Sequence, residues 1–178
     1  MVKLQGEGLY LAALERRDCR KLSEDAEHDF ANPAEPLRVG HSVEKSDEWF
    51  DEIQKRLREK TAVELGIFLD DGTVIGDVAL QDIDFANRSC SVGMGIAKIE
   101  NRGKGYGGRA LRLIVEYGFF EMGMERISAD TLDANVSARK SLERLGFALE
   151  GCERKAAYFG GKKRDRLRFG LLAEEYAG

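Results

Sequence analysis

Cysteine and proline are scarce in this chain of 178 residues, with three of the first and two of the second. Cys19, Cys90 and Cys152 are widely spaced, form no C-x-x-C pair and have no neighbouring histidine. Neither a disulfide framework nor a zinc site is therefore written here, and no metal is expected. No stretch approaches the roughly 18 apolar residues that a membrane span requires. The opening Met1-Val2-Lys3-Leu4-Gln5-Gly6-Glu7 lacks the apolar core of a secretion signal. The expected location is the cytoplasm, without membrane attachment. Repeats, low-complexity tracts and Pro/Gly/Ser linkers are also missing, so residues 1–178 read as one domain. A basic stripe interleaved with aromatics is absent as well, which argues against nucleic acid as the main partner.

What is present fits a globular fold: 43% of residues are apolar, 34% are charged and the net charge is −4. A domain of this length buries roughly 70% of its unfolded surface and needs no staple. The charge is uneven. Residues 1–100 carry 13 Lys+Arg against 21 Asp+Glu, whereas residues 101–178 carry 15 against 11. An anionic ligand suits the second half and a cationic one the first. Lys162-Lys163-Arg164-Asp165-Arg166, beside Gly160-Gly161, reads as a hairpin shoulder rather than a binding tract.

Periodicity predicts a strand over Gly8–Leu14, then a charged helical stretch from Glu15 to Phe30 that breaks before Asn32-Pro33. Ser46 is expected to cap a second helix, with Trp49, Ile53 and Leu57 on one face. Alternation over Val63–Leu69 ends at the hairpin signal Asp70-Asp71-Gly72. Thr73–Leu80 and Cys90–Ile96 complete a meander that turns near Ala86-Asn87-Arg88. A helix over Gly107–Glu121, a strand over Arg126–Leu132, a helix over Asn135–Leu145 and two strands flanking Gly160-Gly161 follow. The order is β-α-α-β-β-β-α-β-α-β-β, an α/β (α+β) arrangement with a mixed, mostly antiparallel seven-stranded sheet and helices on both faces.

Arg102-Gly103-Lys104-Gly105-Tyr106-Gly107-Gly108 joins a strand to a helix. Four glycines in six residues let the backbone approach a ligand, and the amides opening the helix point outward unpaired. Such a loop suits phosphate. It contains no G-x-x-x-x-G-K-[ST], and its spacing is not that of a dinucleotide fingerprint, so nucleotide hydrolysis and dinucleotide redox chemistry lose support.

The loop resembles the R/Q-x-x-G-x-G/A pyrophosphate loop of the GNAT N-acetyltransferases, and Asn135 followed by Leu145-Gly146-Phe147 resembles their N-x(10)-G-F segment. Asn87-Arg88-Ser89, Glu150-Gly151 with Arg154, and Asp165 ahead of Gly170-Leu171-Leu172 resemble the branch of ribosomal-protein alanine/serine and spermidine acetyltransferases. The resemblance covers about residues 7–176. It implies an acyl-CoA acyltransferase sheet whose fourth and fifth strands splay to admit pantetheine. It implies acetyl-CoA as cosubstrate and direct transfer to a primary amine: a protein N-terminus, a polyamine or another small amine. Pairing as a homodimer is also common in that branch. Met94, Gly95 and Ile96 would line the pantetheine, Arg102 to Gly108 would hold the pyrophosphate, and Asn135 would hydrogen-bond the arm or cap its helix.

Two departures bear on mechanism. Relatives often carry a glutamate where this chain has Ser91, and many place a tyrosine, the acid for the thiolate, where it has Leu142. Ser141 is a neighbouring hydroxyl. Cys90 has no activating histidine nearby, and His28 and His41 belong to no motif. A regular turn at Ala86-Asn87 pairs positions summing to about 173, which sets Asp82 opposite Ser91 and offers a replacement carboxylate, with Asp84 the choice if the register slips. The other reading is a catalytically weak acyl-CoA-binding regulatory or interaction module on the same fold.

Overall fold

The computed structural model describes residues 3–30, 40 and 42–178. Its centre is a single sheet of eight strands in the order β1-β2-β3-β4-β5-β6-β8-β7. The strands are β1 (Leu4–Gln5), β2 (Leu9–Ala13), β3 (Val63–Leu69), β4 (Val74–Asp84), β5 (Ser89–Ile96), β6 (Arg126–Leu132), β7 (Ala148–Phe159) and β8 (Lys162–Leu172). The helices are α1 (Arg16–Asp25), α2 (Val43–Glu59), α3 (Tyr106–Glu116) and α4 (Val136–Arg144), and one π turn, Tyr117–Glu121, extends α3. The count exceeds the expected seven because β1 adds a two-residue edge strand against Tyr10 and Leu11. The expected fourth and fifth strands are thus β5 and β6.

Two helix starts and ends differ from expectation. Ser42, not Ser46, caps α2 by accepting from the Lys45 amide; Ser46 lies one turn inside, buried, donating its hydroxyl to the Ser42 carbonyl. Val43-Glu44-Lys45 contains nothing that stops a helix, so it extends back to the earlier serine. α1 ends at Asp25 rather than Phe30. Its continuation is drawn onto the end of β5, where the Glu27 amide donates to the Ala97 carbonyl at 3.1 Å and the Glu27 carboxylate accepts from the Ile99 amide at 2.7 Å. The expected break at Asn32-Pro33 lies outside the described residues.

The sheet separates two apolar layers. Beneath α3, Ala110, Leu111 and Ile114 pack on Leu9, Leu11, Ile67, Val78, Leu80, Cys90 and Val92. Beneath α1 and α2, a smaller cluster gathers Ala12, Leu14, Cys19, Leu22, Ile53, Phe68 and Val74. Arg20 forks onto Asp47 at 2.8 and 2.7 Å and ties α1 to α2, and the guanidinium holds the Asp47 carboxyl below its usual range. Even-numbered β5 residues face α3 and odd-numbered ones face α2 because strand side chains alternate. The central strands thus present a different chemistry to each side.

Candidate active site

β5 and β6 are parallel, but they pair only over Ser89–Ser91 against Arg126–Ser128. Beyond Ser91 and Ser128 they part. The Ala97 amide donates to the Ile75 carbonyl, so in the alternating antiparallel pattern Gly93 and Gly95 direct their backbone groups to β4. The groups of Met94 and Ile96 are directed the other way, toward the side that β6 has left. The Ile96 carbonyl is claimed by Arg102 Nε at 3.2 Å; the Met94 amide is a donor aimed into the gap.

The glycine loop closes the wide end of this gap. Gly103 and Gly105 have φ of +75° and +83°, which glycine adopts without strain, and a Cβ on Gly103, Gly105 or Gly108 would meet nothing within 4 Å. The cradle is open, and the amides of Tyr106, Gly107 and Gly108 begin α3 with no partner from the helix itself. The loop therefore fits a pyrophosphate. Lys104 is exposed beside it. Arg102 acts differently from a phosphate clamp: its guanidinium donates to the carbonyls of Ile96, Ala97 and Glu27 and staples the loop to β5 and to the segment after α1. Met94 crosses to the loop, since a Cβ on Gly107 would lie 2.7 Å from its Cε.

On the opposite face is a polar cleft of about 320 Å³, walled by Trp49, Arg56, Glu64, Asp77 and Gln81 over a floor of Gly93 and Gly95. A second cavity of about 250 Å³ continues past Arg56 and Gln81 to Thr61, Asp82 and Ile83. Glu64, 7% exposed, accepts from Trp49 Nε1 and from Arg56 Nη2, both at 2.8 Å.

Asp82 and Ser91 do meet, though not as register partners. Gln81 is the residue opposite Ser91, the pairs from Gly76 to Gln81 sum to 172, and beyond a bulge Asp84 pairs with Ser89, the expected sum of 173. Asp82 occupies the bulge with φ of +52°. Its turned backbone carries the carboxylate to Ser91, whose Oγ donates to Oδ2 at 2.7 Å. Asp84 instead faces the turn and accepts from the Asn87 amide and side chain, which hold its carboxyl below its usual range.

The remaining candidates are dispersed. Asn135 caps α4, its Oδ1 accepting from the Ala138 amide at 3.1 Å. Ser141 donates back to the Ser137 carbonyl at 3.0 Å, and Leu142 is buried in the core. Burial, reinforced by Asp82, pushes the Cys90 thiol up to about 12, so it holds no thiolate near neutrality. His28 packs edge-on against Phe30, 4.5 Å between ring centres, and His41 lies outside the described residues. Among the described residues no group of three or more His, Cys, Asp or Glu could hold a metal ion, and no helix is long and apolar enough to cross a membrane.

The profile of the Acetyltransferase (GNAT) domain matches residues 9–148. The chain belongs to the GNAT acetyltransferase family and is an N-acetyltransferase of that family by its relatives and its domain. It is 32% identical over 175 residues to the Probable N-acetyltransferase YjcK of Bacillus subtilis, covering 95% of this chain and 96% of that one. It is 28% identical over 176 residues to the "Putative ribosomal N-acetyltransferase YdaF" of the same organism, covering 97% and 95%. In fold it superposes on the Vibrio cholerae spermidine N-acetyltransferase solved in complex with CoA and spermine. The TM-score is 0.83, the identity 22%, and the cover 97% of this chain and 100% of that one. The GNAT sheet expected from sequence is thus present, with eight strands.

Sequence reasoning missed Glu64, Asp77, Arg56 and Gln81. A signal was available: Asp77 interrupts the otherwise apolar Val74-Ile75-Gly76-Asp77-Val78-Ala79-Leu80, and Gly93 and Gly95 alternate on one face of β5.

Proposed function

We propose that the chain transfers the acetyl group of acetyl-CoA to a primary amine, either a protein N-terminus, a polyamine or another small amine, with both substrates bound together. The observation that carries this reading is the parting of β5 from β6 beyond Ser91, between an open glycine cradle on one face and a polar cleft on the other. Named relatives support it: one bears a ribosomal acetyltransferase name, and the structural neighbour was solved with CoA and spermine.

Acetyl-CoA supplies an activated acyl carbon and a thiolate leaving group. The chain contributes loop amides at 106–108 for the pyrophosphate, and the Met94 amide as a donor where negative charge develops on the acyl oxygen. One such donor is worth about 10²–10³ in rate. Gly93 lies about 7 Å along the strand from both Ser91 and Gly95. In this reading the amine sits over Gly93 and a water relays its proton toward the Asp82 carboxylate, which the Ser91 hydroxyl holds in place. The N–C bond forms as the C–S bond breaks, the amine proton passes through the water to Asp82, and the departing sulfur takes a proton from solvent. The buried, protonated Cys90 favours this direct route over an acetyl-cysteine.

The test is coenzyme A release with a panel of amines, followed by Asp82→Asn. The substitution should lower kcat/KM for the amine at pH 7 by about 10²–10⁴, with much of the loss recovered at higher pH, where the free amine is abundant. An Asp82→Asn enzyme that is unimpaired at every pH would remove Asp82 from the mechanism. The weak-module reading draws on the burial of Leu142 and the back-bonded Ser141, which leave α4 without an acid; it predicts coenzyme A binding with no release by any amine.

A further inference from the structure

β7 and β8 run on past the end of their neighbour β6. The last residue of β6, Leu132, stands opposite Arg166, and the Asp133 amide still reaches the Asp165 carbonyl at 3.0 Å. Beyond that point β8 is paired by β7 alone, with Arg164 opposite Ala157 and Lys163 opposite Tyr158. Residues 154–164 form this arm, and they carry Arg154, Lys155, Lys162, Lys163 and Arg164 with no aspartate or glutamate. The basic run that reads in sequence as a hairpin shoulder supplies one side of it.

Charge is matched at the root of the arm and unmatched along it. At the root, Arg168 meets Glu153 at 2.8 Å and Asp130 at 3.5 Å, while Arg166 meets Asp130 at 3.6 Å and Glu153 at 3.8 Å. Among the described residues none of the five arm cations forms an ion pair. Arg154, Lys155, Lys162 and Lys163 are exposed, the last with its ammonium 5.9 Å from the centre of the exposed Tyr158 ring. Five like charges on a two-stranded ribbon repel one another, and an anionic partner relieves that repulsion.

The arm also stands beside the site. β5 and β6 part toward their C-terminal ends, so the arm leaves the sheet at the same edge as the open end of the gap. Leu167, Phe169 and Leu171 face the α3 layer, so alternation turns Lys162 and Arg164 to the α2 side, where the amine is received. Gly93 and Asp130 each stand two residues past the last β5–β6 pair, and Asp130 pairs with Arg168. Two strand spacings across and the length of β8 from Arg168 to Arg164 or Lys162 give a span of about 16–22 Å. An extended chain covers it in about five to seven residues.

Granting amine acetylation as proposed above, we propose that the arm is a docking surface for the acceptor and selects a polypeptide with acidic residues about five to seven positions behind its reacting amine. The reacting end arrives as a cation beside Asp82, and the carboxylates behind it meet Lys162, Lys163 and Arg164. A polyamine brings the arm only further cations and is repelled. Charge matching of this kind acts on encounter and specificity rather than on the chemical step, so it is read in KM.

The experiment compares kcat/KM, read by coenzyme A release, for two peptides with the same Ala N-terminus and either Glu or Gln at about positions 6–8. Wild type should prefer the Glu peptide by about tenfold at low salt, mainly through KM, and the preference should shrink as salt shortens the reach of the charges. Lys162→Gln together with Lys163→Gln should erase most of it, and Lys162→Glu together with Lys163→Glu should reverse it. Acetyl-CoA affinity, set at the glycine loop, should stay unchanged and show that both variants are folded. A ratio near one in wild type, a preference for spermidine over the Glu peptide, or a ratio that these variants do not move overturns the assignment. So does arm-dependent binding of a short RNA with no advantage for the Glu peptide, because the arm then serves nucleic acid. If no amine yields coenzyme A, the acetyl-transfer reading fails by itself, and fluorescence anisotropy of the labelled Glu peptide decides the arm. Binding that the Gln variant weakens keeps the docking surface; binding that is absent or unchanged removes it.

Discussion

The two faces of β4 and β5 are built by different means. The α3 side exposes backbone: glycines at φ of +75° and +83°, the opening amides of a helix and the Met94 amide. The α2 side exposes side chains from three elements, Arg56 and Trp49 of α2, Glu64 of β3, and Asp77 and Gln81 of β4. Backbone recognition needs a particular chain path, and a path leaves glycines at fixed spacing. Side-chain recognition needs only positions, which strand pairing brings together without any sequence spacing. The first therefore leaves a motif in the sequence and the second leaves none.

The sharpest way to break this division is at the strand the faces share. A Cβ on Gly76 would collide with the Gly95 carbonyl, a backbone atom that cannot swing aside. Gly76→Ala should force β4 from β5 at the point where both sites meet, with an expected loss of about 1–3 kcal/mol and impaired affinity for acetyl-CoA and amine alike. Thermal unfolding and two titrations check this. If acetyl-CoA binding survives intact, the cofactor face is more independent of β4 than its pairing indicates.

Gly107→Val acts on one face only. The added carbons meet the end of the Met94 side chain, which is flexible and yields, so the fold should survive. The displaced Met94 and the bulk at the first helical turn should weaken acetyl-CoA by about tenfold or more, the scale of one well-placed contact. Calorimetric titration reads the loss. Unchanged affinity would remove the pyrophosphate from this loop.

The same contrast explains what could be read from sequence. The strand over 126–132 matches its expected bounds, and so does the one over 63–69, because each is a run of alternating residues between clear stop signals. The glycine loop and Asn135 were legible because their spacing is local. The Asp82 contact was anticipated through a regular hairpin and arises from a bulge, a one-residue insertion that no periodicity marks. The cleft leaves only a partial trace, Asp77 within an apolar strand, since Glu64 and Arg56 look like ordinary charges until α2 is laid on the sheet.

A third comparison uses one thiol beneath each face. Cys19 is on the buried side of α1, and Cys90 lies on β5 under α3; burial pushes both up to about 12, with Glu64 adding to the first and Asp82 to the second. An unfolded thiol ionises near 8.5. The folded state therefore binds more protons between about pH 8.5 and 12, and stability present below that range falls as pH rises through it, by about 1.4 kcal/mol per pH unit for each thiol. Cys19→Ala and Cys90→Ala should each flatten the alkaline decline measured by denaturant unfolding, and Cys90→Ala should still transfer acetyl groups with intersecting initial-rate lines. Parallel lines together with an inactive Cys90→Ala would restore the covalent route.

The smallest effect is expected at Asn135, where the two kinds of recognition coincide in one side chain. Its Oδ1 caps α4 through the Ala138 amide, and a cap of this type is worth about 1 kcal/mol. If that were its whole contribution, Asn135→Ala would lower the melting temperature and leave acetyl-CoA affinity alone. We expect a second consequence, because the side chain also carries an amide nitrogen, and α4 begins just beyond β6, the strand that borders the gap. Asp is as good a cap as Asn but has no N–H to give, so Asn135→Asp should restore the stability lost in Asn135→Ala without restoring acetyl-CoA affinity. Recovery of both together would assign Asn135 to the helix alone and leave the cofactor face recognised by backbone only.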